Sequence, residues 1–488
     1  RVTGQSTPAT ARDDRGDLGW VAAVFLLAVA ARLFYLGRLE TPAFDPWRHL
    51  ALVRNIRDGA GFTLFDGQPY LWYGPAWYYL LAALPRWFRF EWFTALLSAA
   101  CAPLTYLWLR RTAGRRGGVV APFVASLMMA LSGPVVAYTC HYGPEAPALL
   151  STLTGLVLCS LAPARGWAWS LAGGLAYGLA LTLRLNFIVS GPLFLPWMTK
   201  RRRDAGLIVL GAAIPLAANW WRNHAILERY AWVFTWDGLA TRTADFDFVS
   251  TLVIQRHPAV GEALRRLHLQ IVPHPEWLFD GDGVAWGPLV FLVAGLAGAL
   301  AARSGFLLLS ALGGFAYFAL FDGSMSANFF RIHLPIFPAL FAGLALASVG
   351  RTARRRAVAL ALVGFALLGG SVLFEPPGMI GLPAVTPPAG LLSRSSYAVN
   401  SGFFQPEAIA WAHPELDLIG LPLEPDDLDD LLADFPDHRA ILWHETGAVQ
   451  PELRARLESD GRFESLGRAR NDDGFLYEVF GVAGSAAP

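Results

Sequence analysis

The chain has 488 residues, of which 54% are hydrophobic and only 16% are charged, and its mean hydropathy is +0.40. This composition is too apolar for a soluble globular protein and predicts an α-helical polytopic membrane protein embedded in a lipid bilayer. The formal net charge is +1 and no long basic face lies outside the membrane flanks, so nucleic acid is excluded as an expected partner.

Roughly eleven stretches approach the length of about 20 apolar residues that a helix needs to cross the hydrocarbon core. The sixth stretch is short and interrupted by proline, and the first is long enough to be a retained helix rather than a cleaved signal peptide. Residues 1–17 are polar, and we expect them to form a disordered cytoplasmic segment. The predicted spans lie near 18–36, 92–109, 118–138, 145–162, 167–184, 187–199, 205–221, 286–302, 304–321, 330–349 and 356–374.

The distribution of basic residues tests this arrangement, because short cytoplasmic loops collect Arg and Lys. If residues 1–17 are cytoplasmic, every basic cluster falls on the cytoplasmic side: 110–116, 165, 200–203, 303 and 351–356. The long connections 37–91 and 222–285 and the chain from 375 then lie on the other side. We therefore expect a multi-pass protein of the plasma (inner) membrane with an extracytoplasmic, or periplasmic, C-terminal part.

The first outer loop, residues 37–91, is the most distinctive polar stretch. Asp45 precedes a proline and is followed by Arg48 and His49 at near-helical spacing. The pattern predicts an amphipathic interfacial helix from about 46 to 58, a glycine-containing turn and a second apolar segment from about 75 to 88. The aromatic residues of this loop fit an interfacial belt. Asp45 fits the N-cap of the helix and a catalytic base equally well.

Other ionisable residues lie at the outer ends of the predicted helices. Charges inside a bilayer are costly and usually functional, although an arginine near a helix end can also snorkel to the surface. Arginine donates in a fork that matches phosphate oxygens, which makes Arg184, Arg222 and Arg331 candidate phosphate clamps. Glu145 also suits a helix N-terminus, where the dipole favours a carboxylate. The set comprises Arg32, His141, Glu145, Arg184, Arg222, Asp322, Arg331 and His333.

Motifs for metal or nucleotide chemistry are weak. His141 and Glu145 have an i, i+4 separation, but Gly143 and Pro144 disrupt a shared helical face. The FDGDG stretch at 279–283 lacks the full calcium-loop pattern, and there is no P-loop, GxSxG or HExxH. We expect that no cofactor is required, and a divalent metal stays open without support from the sequence.

The chain after a Pro- and Gly-rich connection at 375–390 has the pattern of a small α/β domain. AIAWA, DDLDDLLADF and PELRARLESDG predict helices, whereas AILWHET and FLYEVFGV predict strands. The expected organisation is therefore a membrane domain at 18–374 and an extracytoplasmic α/β domain at 375–488.

The order of these motifs resembles the GT-C glycosyltransferases, in the branch of the protein O-mannosyltransferases and the lipid A aminoarabinose transferases. That branch opens its first outer loop with D-E-x-R-Y, where this chain has DPWRH at 45–49, and continues with Y-x-x-K-P, where it has YLWYGP at 70–75. The second acidic residue and the lysine are therefore absent. Later segments, GLALTLRLNF, PLAANWWRN and RIHLPIFPAL, are similar to further patterns of the branch and contain Arg184, Arg222 and Arg331.

The resemblance implies a GT-C fold and inverting transfer of a sugar from a polyprenyl-phosphate carrier to an extracytoplasmic protein, lipid or glycan. It implies Asp45 as general base and Glu145 as a second catalytic carboxylate. The residues expected to bind the substrate or its lipid phosphate are Arg48, His49, Tyr70, Tyr73, Arg184, Arg222, Arg331 and His333. Two alternatives remain: a transporter or flippase for polyprenyl-linked lipid or sugar, and an inactive assembly subunit, which the missing acidic residue and lysine leave open.

Overall fold

The structure is a computed structural model. It describes residues 14–37, 46–63, 70, 74–85, 87, 89–112, 118–140, 143–227, 279–280, 283–284, 296–300, 304–321, 334–349, 387–399, 409, 413, 415–421, 428–444, 451–471 and 476–482. The predicted span near 356–374 and the segment 1–13 lie outside these residues, as does most of the span near 286–302.

The N-terminal part of the chain is helical. Its described helices are α1 (Asp14–Leu36), α2 (Pro46–Arg57), α3 (Ala76–Ala83), α4 (Phe90–Thr112), α5 (Val120–Leu131), α6 (Gly133–Thr139), α7 (Glu145–Arg165), α8 (Ala168–Leu183), α9 (Leu195–Met198), α10 (Arg202–Leu227), α11 (Gly305–Phe321) and α12 (Phe337–Ser348). A helix is observed at the predicted position, as α2, and the second apolar segment contains α3. The interfacial location of α2 stays a prediction.

Four of the described helices are long and apolar enough to cross a membrane. They correspond to the predicted spans near 18–36, 92–109, 145–162 and 205–221, and the total number of spans stays a prediction. Shorter apolar helices pack around them. The long helical segments are Asp17–Leu36, Phe90–Thr112, Glu145–Arg165 and Arg202–Ala225.

The predicted span near 118–138 is not a single helix. α5 ends at Leu131 and α6 begins at Gly133. Pro134 has no N–H, so it cannot donate to the carbonyl of Ala130, four residues earlier. A helix that ends inside a protein leaves its last carbonyls without intrahelical donors, and buried carbonyls need partners from elsewhere.

Arg32 of α1 supplies donors to the end of α5. Its side chain is fully buried and donates to the Met129 carbonyl at 3.1 Å and to the Ala130 carbonyl, while Nε donates to Ser98 Oγ at 2.8 Å. The C-terminal end of a helix dipole also favours a cation. Both sequence-based roles of Arg32, lining an outer cavity or snorkelling, are therefore wrong. The residue joins α1, α4 and α5.

α8 and α10 run parallel and pack closely. Gly174 faces Ile208, and Gly178 faces Ala212 four residues further along both helices. A Cβ at either glycine would overlap the backbone of α10. Small residues four apart allow helices to approach in this way in membranes. Two parallel neighbours need a connection that returns along their length, and residues 185–199 make it.

The returning connection is a 3-10 helix, Leu185–Phe194, followed by α9. A 3-10 helix rises about 2.0 Å per residue, against about 1.5 Å in an α-helix. Its ten residues therefore span about 20 Å instead of about 15 Å. This greater rise explains how the short sixth predicted span, near 187–199, can return along α8. A second 3-10 turn, Leu334–Ile336, precedes α12.

The C-terminal part contains a five-stranded sheet, whose strands are β3 (Ser396–Val399), β4 (Asp417–Gly420), β5 (Ala440–His444), β6 (Phe463–Arg470) and β7 (Leu476–Val482). Their order across the sheet is β4-β3-β5-β7-β6. The first three strands in this order are parallel, and the last two pair antiparallel. The predicted helices at DDLDDLLADF and PELRARLESDG and the predicted strands at AILWHET and FLYEVFGV are observed, whereas β3, β4 and β6 were not predicted. AIAWA lies almost wholly outside the described residues. The helices of this part are α13 (Leu428–Asp434) and α14 (Pro451–Ser459).

Two short strands, β1 (Phe279–Asp280) and β2 (Gly283–Val284), pair antiparallel at the FDGDG stretch. Its sequence was interpreted above as lacking a calcium loop. The described part of this region consists of these four residues.

Replacement of Arg32 by leucine should leave the Met129 and Ala130 carbonyls buried without their donor. An unsatisfied buried group costs about 1–3 kcal/mol, so we expect Arg32→Leu to lower the free energy of unfolding by roughly 2–4 kcal/mol. Thermal unfolding of the detergent-solubilised protein measures the change. Arg202→Leu, at an exposed arginine, is the matched control and should change stability by less than about 0.5 kcal/mol. Equal unfolding temperatures for Arg32→Leu and the wild type would contradict the capping role.

Candidate functional site

The helices α2 and α3 are held together by the last residue of α2. Arg57 donates to the carbonyls of Leu81, Ala82 and Leu84, at 3.3, 3.1 and 2.7 Å. These carbonyls lie at the end of α3, where intrahelical donors run out. Arg57 therefore holds one end of α2 in place.

The other end of α2 is held by His49. Its imidazole is 1% exposed, and Nδ1 lies 2.8 Å from the hydroxyl of Tyr78 on α3. The Tyr78 ring is fully buried and packs on Phe62 at a centroid distance of 4.9 Å. The interpretation of the loop aromatics as an interfacial belt is thus wrong for Tyr78, whereas Tyr79 is 50% exposed.

A buried ion pair joins the start of α7 to the end of α8. Glu145 accepts a hydrogen bond at Oε1 from Nη2 of Arg184, and the two side chains are 3% and 18% exposed. The N-terminus of α7 also favours a carboxylate. Each charge compensates the burial of the other, which makes removal of either partner costly. A phosphate bound at Arg184 would have to share its guanidinium with Glu145.

Gly143 is the point where α2 meets the start of α7. A Cβ at this position would overlap Oε2 of Glu145 and would lie 3.2 Å from Nε2 of His49. The carboxylate oxygen that does not bond Arg184 and the second imidazole nitrogen therefore flank the same small space. Only glycine leaves that space open. His49, Glu145 and Arg184 thus belong to one group of side chains.

Arg222 near the end of α10 anchors the loop that contains Tyr70. Its Nη2 donates to the Tyr70 carbonyl at 2.8 Å, and Nη1 donates to Asn223 Oδ1 at 3.0 Å. The guanidinium lies over the Phe62 ring at 5.1 Å, and the Tyr70 and Phe62 rings meet edge to face at 5.5 Å. Because Phe62 also packs on Tyr78, Arg222 and Tyr70 connect to the His49 group.

Gly74 docks the same loop against α8. Its N–H donates to the Thr182 carbonyl at 2.7 Å, and a Cβ at Gly74 would lie 3.1 Å from Thr182 Cβ. Gly74 occupies the place before proline where the resembling motif has lysine. A side chain there would press on Thr182, two residues before Arg184. A side chain at this position would require Thr182 to shift by a few tenths of an ångström.

The structure therefore brings together five of the residues proposed from the sequence: His49, Tyr70, Glu145, Arg184 and Arg222. Arg48 lies in the first turn of α2, and only its backbone is described. Six other candidate residues lie outside the described part of the chain: Asp45, Tyr73, His141, Asp322, Arg331 and His333. Four further residues of the site were not predicted from the sequence: Phe62, Tyr78, Gly143 and Thr182. The aromatic spacing around Tyr78 was visible, but an interfacial belt accounted for it.

No group of three or more His, Cys, Asp or Glu side chains that could hold a metal ion occurs within the described residues. His141 and Asp45 lie outside the described residues. The group formed by His49, Glu145 and Arg184 instead offers an ion pair beside an imidazole.

Comparisons with known proteins identify the fold. No family model matches the sequence, and no curated protein matches it. The structure does match ArnT from Cupriavidus metallidurans, bound to undecaprenyl phosphate, with a TM-score of 0.57 and 13% identity over 96% of this chain and 99% of ArnT. It also matches the oligosaccharyltransferase of Archaeoglobus fulgidus, in complex with zinc and sulfate, with a TM-score of 0.50 and 14% identity over 93% of this chain and 72% of the other.

The chain has the GT-C fold. The resemblance drawn from DPWRH, YLWYGP and the later motifs is confirmed at the level of the fold. The alignment with ArnT spans nearly both chains, so the likeness includes the helical GT-C part and the C-terminal sheet. At 13% and 14% identity the comparisons assign no role to an individual residue. Those roles are argued from the geometry of the site.

Breaking the buried ion pair should destabilise the protein. Arg184→Met leaves Glu145 as an uncompensated buried carboxylate, and we expect a loss of about 3 kcal/mol in the free energy of unfolding, at the low end for buried pairs. The double variant Glu145→Gln/Arg184→Met removes the stranded charge and should recover more than half of that loss. Thermal unfolding in detergent measures both, with Arg165→Met at an exposed arginine as the control. A double variant no more stable than Arg184→Met would contradict the pairing.

Proposed function

We propose that the chain is an inverting glycosyltransferase of the inner membrane that moves a sugar from a polyprenyl-phosphate carrier to an extracytoplasmic acceptor. The observation that carries the proposal is the likeness to ArnT bound to undecaprenyl phosphate, which extends over 96% of this chain and 99% of ArnT. The acceptor class is a protein, lipid or glycan outside the cytoplasm. In this proposal residues 18–374 form the catalytic domain, and residues 375–488 lie on the extracytoplasmic side.

Asp45 is proposed as the general base. It is bonded directly to Pro46, the first residue of α2. Its carboxylate would take the proton of an acceptor hydroxyl or amine while that oxygen or nitrogen forms a bond to the anomeric carbon. The bond between that carbon and the phosphate oxygen breaks at the same time. Attack from the face opposite to the leaving phosphate inverts the configuration.

The leaving polyprenyl phosphate is already anionic, so its departure calls for cations rather than for a proton. Arg48, Arg184 and Arg331 are the proposed cationic contacts. Glu145 holds Arg184, which orients the guanidinium for this task, and this orienting role is the one we propose for Glu145. Tyr70, Tyr73 and His333 complete the proposed binding set, together with Arg222, which places Tyr70. No metal ion is required by this scheme.

The catalytic assignment predicts that Asp45→Asn is impaired in chemistry. General-base help is worth about 10² to 10⁴ in rate, so the turnover number should fall by that factor. The measurement is sugar transfer from a radiolabelled polyprenyl-phosphate donor by purified protein in proteoliposomes. Asp58→Asn, at an exposed carboxylate just after α2, is the matched control and should keep wild-type turnover. Near-normal turnover of Asp45→Asn would contradict the base assignment.

The same assay separates the two alternative classes. Movement of the labelled donor across the bilayer without a new glycosidic bond would identify a transporter or flippase. Saturable binding of the carrier without turnover, across donors and acceptors, would identify an inactive assembly subunit.

A further inference from the structure

We propose that His49 and Tyr78 are positioning residues that fix the first turn of α2, and with it Asp45, and that His49 is not a ligand of the lipid-linked sugar. This inference rests on the proposed function, because it assigns the two residues to the placement of its general base. It also replaces the substrate-binding role that the resemblance implied for His49.

The first argument is the direction of the imidazole. Nδ1 lies 2.8 Å from the Tyr78 hydroxyl on one side, and Nε2 lies beside Gly143 and Glu145 on the other. The ring is 1% exposed. Both nitrogens of His49 are therefore buried, and Nδ1 contacts a protein hydroxyl. A substrate ligand would instead present a polar atom to the substrate.

The second argument is the consistency of donors and acceptors. The carboxylate of Glu145 accepts from Arg184, and an ionised carboxylate only accepts. The imidazole nitrogen beside it, Nε2, then carries the proton, which leaves Nδ1 of a neutral ring as an acceptor for the Tyr78 hydroxyl. This tautomer follows from the chemistry of the neighbours. The Tyr78 hydroxyl is then the donor in its contact with His49.

The third argument is the place of these contacts on α2. His49 is the fourth residue of the 12-residue helix, and Arg57 is the last. Arg57 fixes the far end to the carbonyls at the end of α3. His49 fixes the near end, one turn after the bond that attaches Asp45. If the near contact is lost, α2 can pivot about Arg57, and the largest displacement falls on its first residue and on Asp45.

The alternative is a buried histidine that contributes stability alone. Such a residue would change the unfolding temperature without a selective effect on chemistry. A positioning residue lowers kcat while the donor KM stays constant, because the donor contacts survive and the base is displaced. A displacement of about 1 Å costs on the order of 10²-fold in rate.

The variant that tests the frame is Tyr78→Phe. It keeps the ring that packs on Phe62 and removes only the hydroxyl that contacts His49. We expect kcat to fall by about 10- to 100-fold, with the KM for the polyprenyl-phosphate donor unchanged within about twofold. Tyr79→Phe, at the neighbouring and half-exposed tyrosine, is the matched control and should keep wild-type kcat and KM.

Two variants of His49 test rescue. His49→Asn places an amide near the position of Nδ1 and should retain more activity than His49→Leu, which offers no polar atom. The effects of Tyr78→Phe and His49→Leu should not add in the double variant, because both remove the same contact. Unchanged kcat in Tyr78→Phe, or a raised donor KM with normal kcat in the His49 variants, would overturn the proposal.

A readout without turnover separates this inference from the proposed function. Hydrogen exchange followed by mass spectrometry reports on the peptide 46–57. Tyr78→Phe should exchange faster over this peptide than Tyr79→Phe does, while the peptide from the end of α8 stays unchanged. If the wild type transfers no sugar, the proposed function fails, and faster exchange still supports the frame. If the wild type transfers sugar and Tyr78→Phe matches it in exchange and kcat, the frame fails alone.

Discussion

The buried pair of Glu145 and Arg184 is the interaction on which the arrangement of the site depends. A carboxylate with 3% exposure needs a compensating cation, and this requirement binds the start of α7 to the end of α8. The second oxygen of the same carboxylate then defines the space at Gly143 that His49 approaches. One ion pair therefore sets where three separate helices meet. The loop at Gly74, which docks two residues before Arg184, depends on the same point.

Three other arginines mainly donate hydrogen bonds to backbone carbonyls. Arg32 donates to carbonyls at the end of α5, Arg57 to those at the end of α3, and Arg222 to Tyr70. Where helices break inside an apolar region, water is absent and side chains must supply the missing donors. Arginine suits this task because its fork reaches several carbonyls at once. Donation to backbone carbonyls is thus one use of arginine in this structure, and phosphate binding is the second use that we propose.

Close backbone contacts shape the surroundings of the site. Gly74, which stands where the resembling motif has lysine, lies so near Thr182 that a side chain there would require Thr182 to shift. Close approach also governs α8 and α10, where Gly174 and Gly178 leave room for the neighbouring backbone. The parallel course of these helices in turn requires the extended 3-10 connection. Each of these small or irregular elements has a steric cause.

The sequence by itself determined the membrane class, the long apolar helices, the helix α2, part of the terminal sheet and the likeness to the GT-C fold. These follow from hydropathy, periodicity and motif order, which are local properties of the chain. Tertiary structure alone decided that α5 and α6 are separate, that Arg32 is a buried cap and that His49 contacts Tyr78 and lies beside Glu145. Residues far apart in the chain make these contacts, and a pattern within one segment carries no information about its partner. The pairing of Arg184 with Glu145, 39 positions away, is such a contact, since each residue taken alone looked like a separate functional group.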